Sequence, residues 1–226
     1  MTDQLLFVAL PYAAVLIAVV MTVYRYRNNR FSYSSLSSQL LENNVLSWAS
    51  VAWHYAIVLI LLAHVLATVF PGAWAALLGG QFRLYVIEIT GMGLALLAIV
   101  GVVLFIWRRL TRPRVRVVTS TGDWVLLVML LVQVVLGFVT ASAYRWGALW
   151  YLHTAAPWLE SLVRLDPDPS TVAMLPWLVK LHFVGGFVLI AMVPFTRLVH
   201  ALVIPVEYLW RPYRVIVWNR RQALRK

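Results

Sequence analysis

Between residues 180 and 209 the chain reads KLHFVGGFVLIAMVPFTRLVHALVIPVEYL, an almost wholly apolar run with one histidine near each end, His182 and His200. A bilayer-spanning helix needs about 20 such residues, and this run supplies them. On a continuous α-helix the eighteen-residue spacing closes five full turns, so both imidazoles point the same way. At about 1.5 Å per residue they stand roughly 27 Å apart, near the hydrocarbon thickness of a bilayer. Two ligands near opposite membrane surfaces imply two separate sites, each completed from elsewhere in the chain.

The rest of the sequence is of the same kind. Hydrophobic residues make up 62% of the 226 and charged residues 12%, whereas soluble domains are nearer half apolar. We expect an all-α integral membrane protein forming one domain over 1–226, a five-helix bundle with spans near 4–24, 47–70, 84–107, 123–143 and 177–205. Cysteine is absent, which excludes thiolate-held clusters, thioether-attached haem, thiolate zinc and disulfides. A resident redox cofactor must be held by histidine or methionine.

The first span follows Asp3 and precedes Arg25, Arg27 and Arg30. That charge order is the reverse of a secretory signal, so the segment is read as a retained anchor, bent at Pro11. Residues 31–46 form a mixed surface segment, Ser47 is a candidate N-cap, and Pro71-Gly72 ends the second span. The third carries Gly91, Gly93, Ala95, Ala98 and Gly101, small enough for close approach of a helix or a flat ring. The fourth begins after Thr121-Gly122-Asp123. The connection 144–176 is long and mixed, with DPDPS as turn chemistry and a short interfacial helix near 157–163. The fifth span is expected to kink at Pro194.

Basic residues then orient the bundle. Fourteen follow the first, third and fifth spans, against four on the other side: Arg83, Arg145, Arg164 and Lys180. The positive-inside rule puts the N-terminus outside and the C-terminus in the cytoplasm. This topology accounts for the net charge of +11 without a nucleic-acid partner.

Of five histidines, His153 lies in the outer connection and reads as an ordinary exposed polar residue. The other four sit in two spans, where ionisable groups are costly and mark function. Antiparallel spans place His54 and His200 toward the inside and His64 and His182 toward the outside. Each cross-helix pair offers two axial nitrogens to one iron, which is bis-histidine ligation of a b-type haem. The ten-residue spacing in the second span covers only about 15 Å, against roughly 27 Å in the fifth, so the helices must tilt. Zinc is the rival, but it prefers four converging ligands. Arg197, three residues before His200, is placed either to pair with an inner-haem propionate or to snorkel to the interface. Gly185 and Gly186 suit either a porphyrin edge or plain helix packing.

The stretch KLHFVGGFVLIAMVPFTRLVHALVIPVEYLWRPY closely resembles the last span of the γ (cytochrome b) subunit of respiratory nitrate reductase. SSQLLENNVLSWASVAWHYAIVLILLAH, RRLTRPRV and LDPDPS are similar to that family in the same order. The resemblance covers roughly residues 27–214. It implies two b haems on His54, His64, His182 and His200, and a prokaryotic inner-membrane anchor for a cytoplasmic iron–sulfur subunit and a molybdenum catalytic subunit. It also implies quinol oxidation near the outer haem. The family's quinol site often includes a lysine early in the third span. Here that region reads QFRLYVIEITG, with Tyr85 about where the lysine would stand, so the quinol-site candidates are Arg83, Tyr85 and Glu88. Glu88 fits either a proton path or an interhelical hydrogen bond.

Two alternatives stand beside this reading. An anchor of the same type serves nitrite oxidation or another molybdenum reductase for oxyanion or sulfur substrates. A proton or metal transporter is the non-redox alternative, for which no inverted repeat or broken helix pair is found.

Overall fold

A computed structural model describes residues 2–28, 41 and 44–202. Most of the expected surface segment 31–46, and everything beyond Leu202, including Pro205, Glu207 and the basic tail, lies outside the described residues. Every regular element among those described is helical. In hydrocarbon no water is present to satisfy backbone N–H and C=O groups, so apolar segments of this length close their bonds internally as helices.

Five helices are long and apolar enough to cross a membrane. They are α1 (Thr2–Asn28), α2 (Asn44–Val69), α4 (Gln81–Thr111), α6 (Thr121–Ala143) and the fifth span, whose α-helical part is α10 (Trp177–Met192). Shorter helices connect them: α3 (Pro71–Leu78), α5 (Pro113–Val117), α7 (Gly147–His153), α8 (Ala155–Val163) and α9 (Ser170–Ala173). Pro71 does end α2, but it also opens α3, because its fixed φ and missing N–H suit the first position of a helix. The expected interfacial helix at 157–163 is α8 without its first two residues.

The spans pack in the order α2–α4–α6–α10–α1. Lipid is as apolar as leucine, so close contact between small residues, rather than burial of large ones, holds such helices together. Ala49, Ala56, Ala95 and Ala98 are accordingly buried, while Val58, Leu59, Val65 and Val100 face outward. At the α2–α4 crossing a Cβ on Gly101 would come within 2.8 Å of the Trp53 backbone nitrogen, so only glycine fits. Trp53, Ala98, Val102, Leu127 and Val134 form the core shared by α2, α4 and α6.

A second core joins α1, α8, α9 and α10 around Phe7, Trp158, Leu162 and Val172. It depends on Pro11. The turn before that proline is π-helical over Leu5–Ala9. Pro11 cannot supply the N–H that an α-helix would aim at the Phe7 carbonyl four residues earlier. The buried indole of Trp158 donates to that carbonyl, at 2.8 Å, while its ring stands edge-on to Phe7 and stacks on Phe183. Nearby, Lys180 of α10 is buried on Asp3 of α1, with Nζ–Oδ1 2.8 Å, so the N-terminal ends of these two spans share one membrane face.

The fifth span, expected as a helix over 177–205 kinked at Pro194, is broken there rather than bent. The α-helix ends at Met192, a 3-10 turn covers Val193–Phe195, and Thr196 is extended at φ −124°. A second 3-10 turn, Arg197–Ala201, follows and carries His200. Pro194 is the cause, since it breaks the hydrogen-bond ladder and crowds the preceding turn. The freed groups find other partners: Arg25 of α1 donates to the Pro194 carbonyl, and the Thr196 hydroxyl donates to the Met192 carbonyl at 2.9 Å. The five-turn relation between His182 and His200 therefore does not hold.

Replacing Trp158 by Phe keeps the ring but leaves the buried Phe7 carbonyl without its indole donor. The expected cost is about 1–3 kcal/mol, seen as a lower unfolding midpoint in detergent. An unchanged midpoint would mean that the carbonyl is satisfied in another way.

Candidate functional site

The four intramembrane histidines share one local arrangement. On α2, His54 Nδ1 lies 2.8 Å from the Ser50 carbonyl and His64 Nδ1 lies 2.7 Å from the Ile60 carbonyl, each four residues back along the helix. His200 Nδ1 lies 2.5 Å from the Arg197 carbonyl. His182 reaches across to α6, where Nδ1 lies 3.2 Å from the Gln133 carbonyl. A carbonyl oxygen only accepts, so Nδ1 carries a proton in all four, and in the neutral ring the lone pair is then on Nε2. Metal-ligating histidines are held in this way, with the second nitrogen tied to a carbonyl that fixes tautomer and ring direction.

Two of these side chains meet ring to ring. The rings of His54 and His200 have centroids 6.0 Å apart at an interplanar angle of 69°. Two imidazoles sharing one metal at bonds of about 2 Å would stand roughly 6 Å apart, centre to centre. The break at Thr196 reconciles the unequal spacings of ten and eighteen residues, because it takes His200 off the helix and beside His54. The helices α2 and α10 do not pack extensively on each other; α4 and α6 lie between them. Among the described residues no three His, Asp or Glu side chains cluster to hold a metal ion. A four-ligand zinc centre therefore does not fit, whereas a group taking two axial nitrogens does. His153 stands exposed at the end of α7.

Arg197 makes an interaction that its spacing from His200 did not suggest. Its guanidinium forms a two-bond pair with Asp123 of α6: Nε donates to Oδ1, and Nη2 donates to Oδ2 at 3.0 Å. Asp123 also accepts from the Ser120 N–H at 3.0 Å, closing a capping box with the Ser120 side chain. One buried carboxylate thus caps α6 and anchors the turn that carries His200. The glycines before the break resolve toward helix packing at Gly185, whose Cβ would collide with the Gln133 side chain.

The three quinol-site candidates converge on the same end as His64. Arg83 donates to the Ala76 carbonyl of α3 at 3.3 Å. Tyr85 stands edge-on to Trp146, with centroids 5.0 Å apart. Glu88 Oε1 accepts from the Ala148 N–H at 2.9 Å, the interhelical hydrogen bond anticipated as one of its two roles. That bond is needed because Trp146, the N-cap of α7, is left-handed at φ 65° and makes no side-chain cap. Farther along α7, Tyr151 packs edge-on against His64 with centroids 5.9 Å apart. The Thr68 hydroxyl donates to the His64 carbonyl at 2.8 Å, so Tyr151 is the donor in the 2.6 Å bond between the two hydroxyls. Burial raises the Tyr151 phenol above its ordinary value, which keeps it protonated for that role. Neither Tyr151 nor Gln133 was identified from the sequence. Gln133 had one signal, a polar amide inside an apolar span.

Asp123→Asn keeps an acceptor for the cap but removes the charge that holds Arg197. Backbone amides of 197–201 should then exchange faster with solvent, with a loss of about 1–3 kcal/mol. Exchange at the wild-type rate would show that this turn is held by other contacts.

A family profile described as the nitrate reductase gamma subunit matches residues 3–219. The chain is 32% identical to the nitrate reductase gamma chain of Bacillus subtilis (strain 168), covering 98% of this chain and 100% of that one. It is 29% identical to the respiratory nitrate reductase 1 gamma chain of Escherichia coli (strain K12), covering 91% of this chain and 93% of that one. It is also 32% identical to the nitrate reductase-like protein NarX of Mycobacterium tuberculosis (strain ATCC 25618 / H37Rv), over 99% of this chain but only 35% of that longer protein. The chain therefore spans about a third of the length of the NarX proteins it matches. Together with the five apolar helices, these likenesses make it a multi-pass protein of a prokaryotic membrane. The chain belongs to the nitrate reductase gamma subunit family.

Proposed function

We propose that this chain is the di-haem cytochrome b subunit of a nitrate reductase complex. In this reading it oxidises quinol near the outer membrane face and delivers the electrons to a cytoplasmic iron–sulfur subunit and molybdenum catalytic subunit. The observation that carries the reading is the set of four histidines, each with Nδ1 tied to a backbone carbonyl, of which His54 and His200 meet ring to ring. His54 and His200 hold the inner group, and His64 and His182 the outer one. The haems, when bound, supply two one-electron carriers with no open coordination position for a substrate.

The chain's own residues do the rest. The proposed orientation, N-terminus outside, follows from the basic residues at the ends of α1 and α4, on the face where Arg25 reaches Pro194 and Arg197 reaches Asp123. That basic face suits a cytoplasmic partner. On the other face, Tyr85 and Glu88 are both tied to α7, and α7 carries Tyr151 against His64. A quinol bound there meets the Tyr85 hydroxyl and the Glu88 carboxylate of α4 beside Tyr151 of α7, and its protons leave to the outside. Arg83, at the start of α4, is the nearby cation.

Haem counting and redox titration of four variants in the assembled complex test the pairing. His64→Ala and His182→Ala should each lose the outer haem and block quinol oxidation. His54→Ala and His200→Ala should each lose the inner haem and leave the outer one partly reducible. If His54→Ala and His182→Ala removed the same haem, the antiparallel pairing would be wrong.

A further inference from the structure

Three of the four histidines are held by their own segment, and His182 is the exception. Its Nδ1 donates to Gln133 of α6, forty-nine positions away in the chain. The contact is built from both sides. Gln133 Nε2 donates back to the His182 carbonyl at 2.9 Å. One turn further along α6, the imidazole approaches Gly137 through Cε1, and a Cβ there would stand 2.8 Å from Cε1 and within 3.5 Å of Nδ1 and Nε2. Gly185, on α10, gives room to the Gln133 amide, whose Oε1 is buried without a hydrogen-bond partner. A buried amide oxygen left unsatisfied is costly, so the amide's position is set by its bond to His182 and by the lack of any side chain at 185.

We propose that Gln133 and Gly137 form a seat on α6 that sets the ring direction and tautomer of His182, and so act as positioning residues for the outer haem alone. This rests on the reading of His182 as an outer-haem ligand. Direction and basicity of a ligating imidazole follow from what its other nitrogen donates to, and loss of such a partner typically weakens metal retention 10–100-fold. His54 and His200 take their carbonyls from Ser50 and Arg197, so the inner site is independent of the seat. The outer site inherits the register between α6 and α10, and any shift between these helices is felt at His182 first.

The test uses the full chain in its membrane complex, with haem content, low-spin spectra and redox titration of each haem as readouts. In Gly137→Ala the added methyl displaces the ring, and outer-haem retention should weaken at least tenfold with the inner haem at wild-type content. Gln133→Leu keeps the backbone acceptor but loses the amide clamp. It should retain the outer haem with a shifted spectrum and potential, again with the inner haem unchanged. Gln133→Leu carries the test alone if the Gly137→Ala chain does not accumulate. Wild-type outer spectra in both variants, or equal loss of both haems, would overturn the proposal. His182→Ala in the same series separates the two levels. If it keeps both haems, the ligand reading fails. If it loses the outer haem while both seat variants match the wild type, only the seat fails.

Discussion

Four hydrogen bonds from imidazole Nδ1 to backbone carbonyls organise this bundle. Inside a bilayer a histidine N–H has no water to turn to, and leaving it unpaired is costly. Giving it to a carbonyl satisfies the donor and, in the neutral ring, leaves the lone pair on Nε2. Satisfying the membrane and preparing a metal ligand are therefore one event. The same demand explains the helix irregularities. Pro11 and Pro194 each withdraw an N–H from a spanning segment. Trp158 supplies a donor to the Phe7 carbonyl beside the first, and Arg25 and Thr196 make the bonds around the second. Those substitutes tie α8 to α1, and α1 to the fifth span, which carries two of the histidines.

The two ends of the bundle are built differently. At the His54–His200 end, a break in the fifth span turns His200 toward α2, and the Arg197–Asp123 pair anchors the broken segment. A charge pair of this kind costs desolvation to bury and is strongly destabilising to disrupt, so it favours one arrangement of that turn. At the His64–His182 end the spans are unbroken, and orientation comes from neighbouring elements: α6 beneath His182 and α7 against His64. The element α7 also holds Tyr85 and Glu88 through Trp146 and Ala148, which links the proposed quinol site to the histidine nearest it.

Much of this was legible from residues alone, for identifiable reasons. Spans announce themselves by length and apolarity, and the observed ends of the first four fall within a few residues of the expected ones. Four histidines in two apolar runs are conspicuous because ionisable groups in hydrocarbon need a purpose. The fifth span's end was not legible. Pro194 signalled a kink, but the extended Thr196 depends on Arg25, 169 positions from Pro194, and the paired turn depends on Asp123. Asp123 looked like a helix start and is one, yet its second bond to Arg197 spans 74 positions. Gln133, Gly137 and Tyr151 escaped for the same reason, since their roles exist only once α6, α7 and α10 are in register. Pro71 was read as an ending and is also a beginning, an ambiguity inherent in a residue that suits the first turn of a helix.

The central claim is that the two histidine pairs each hold one haem through both axial positions. Haem-to-protein stoichiometry together with low-spin electron paramagnetic resonance of the purified, partner-bound chain tests it most directly. The account predicts two b haems per chain, both low-spin and both bis-histidine in character. A folded chain with one haem or none, or with a haem whose iron has an open position, would contradict it.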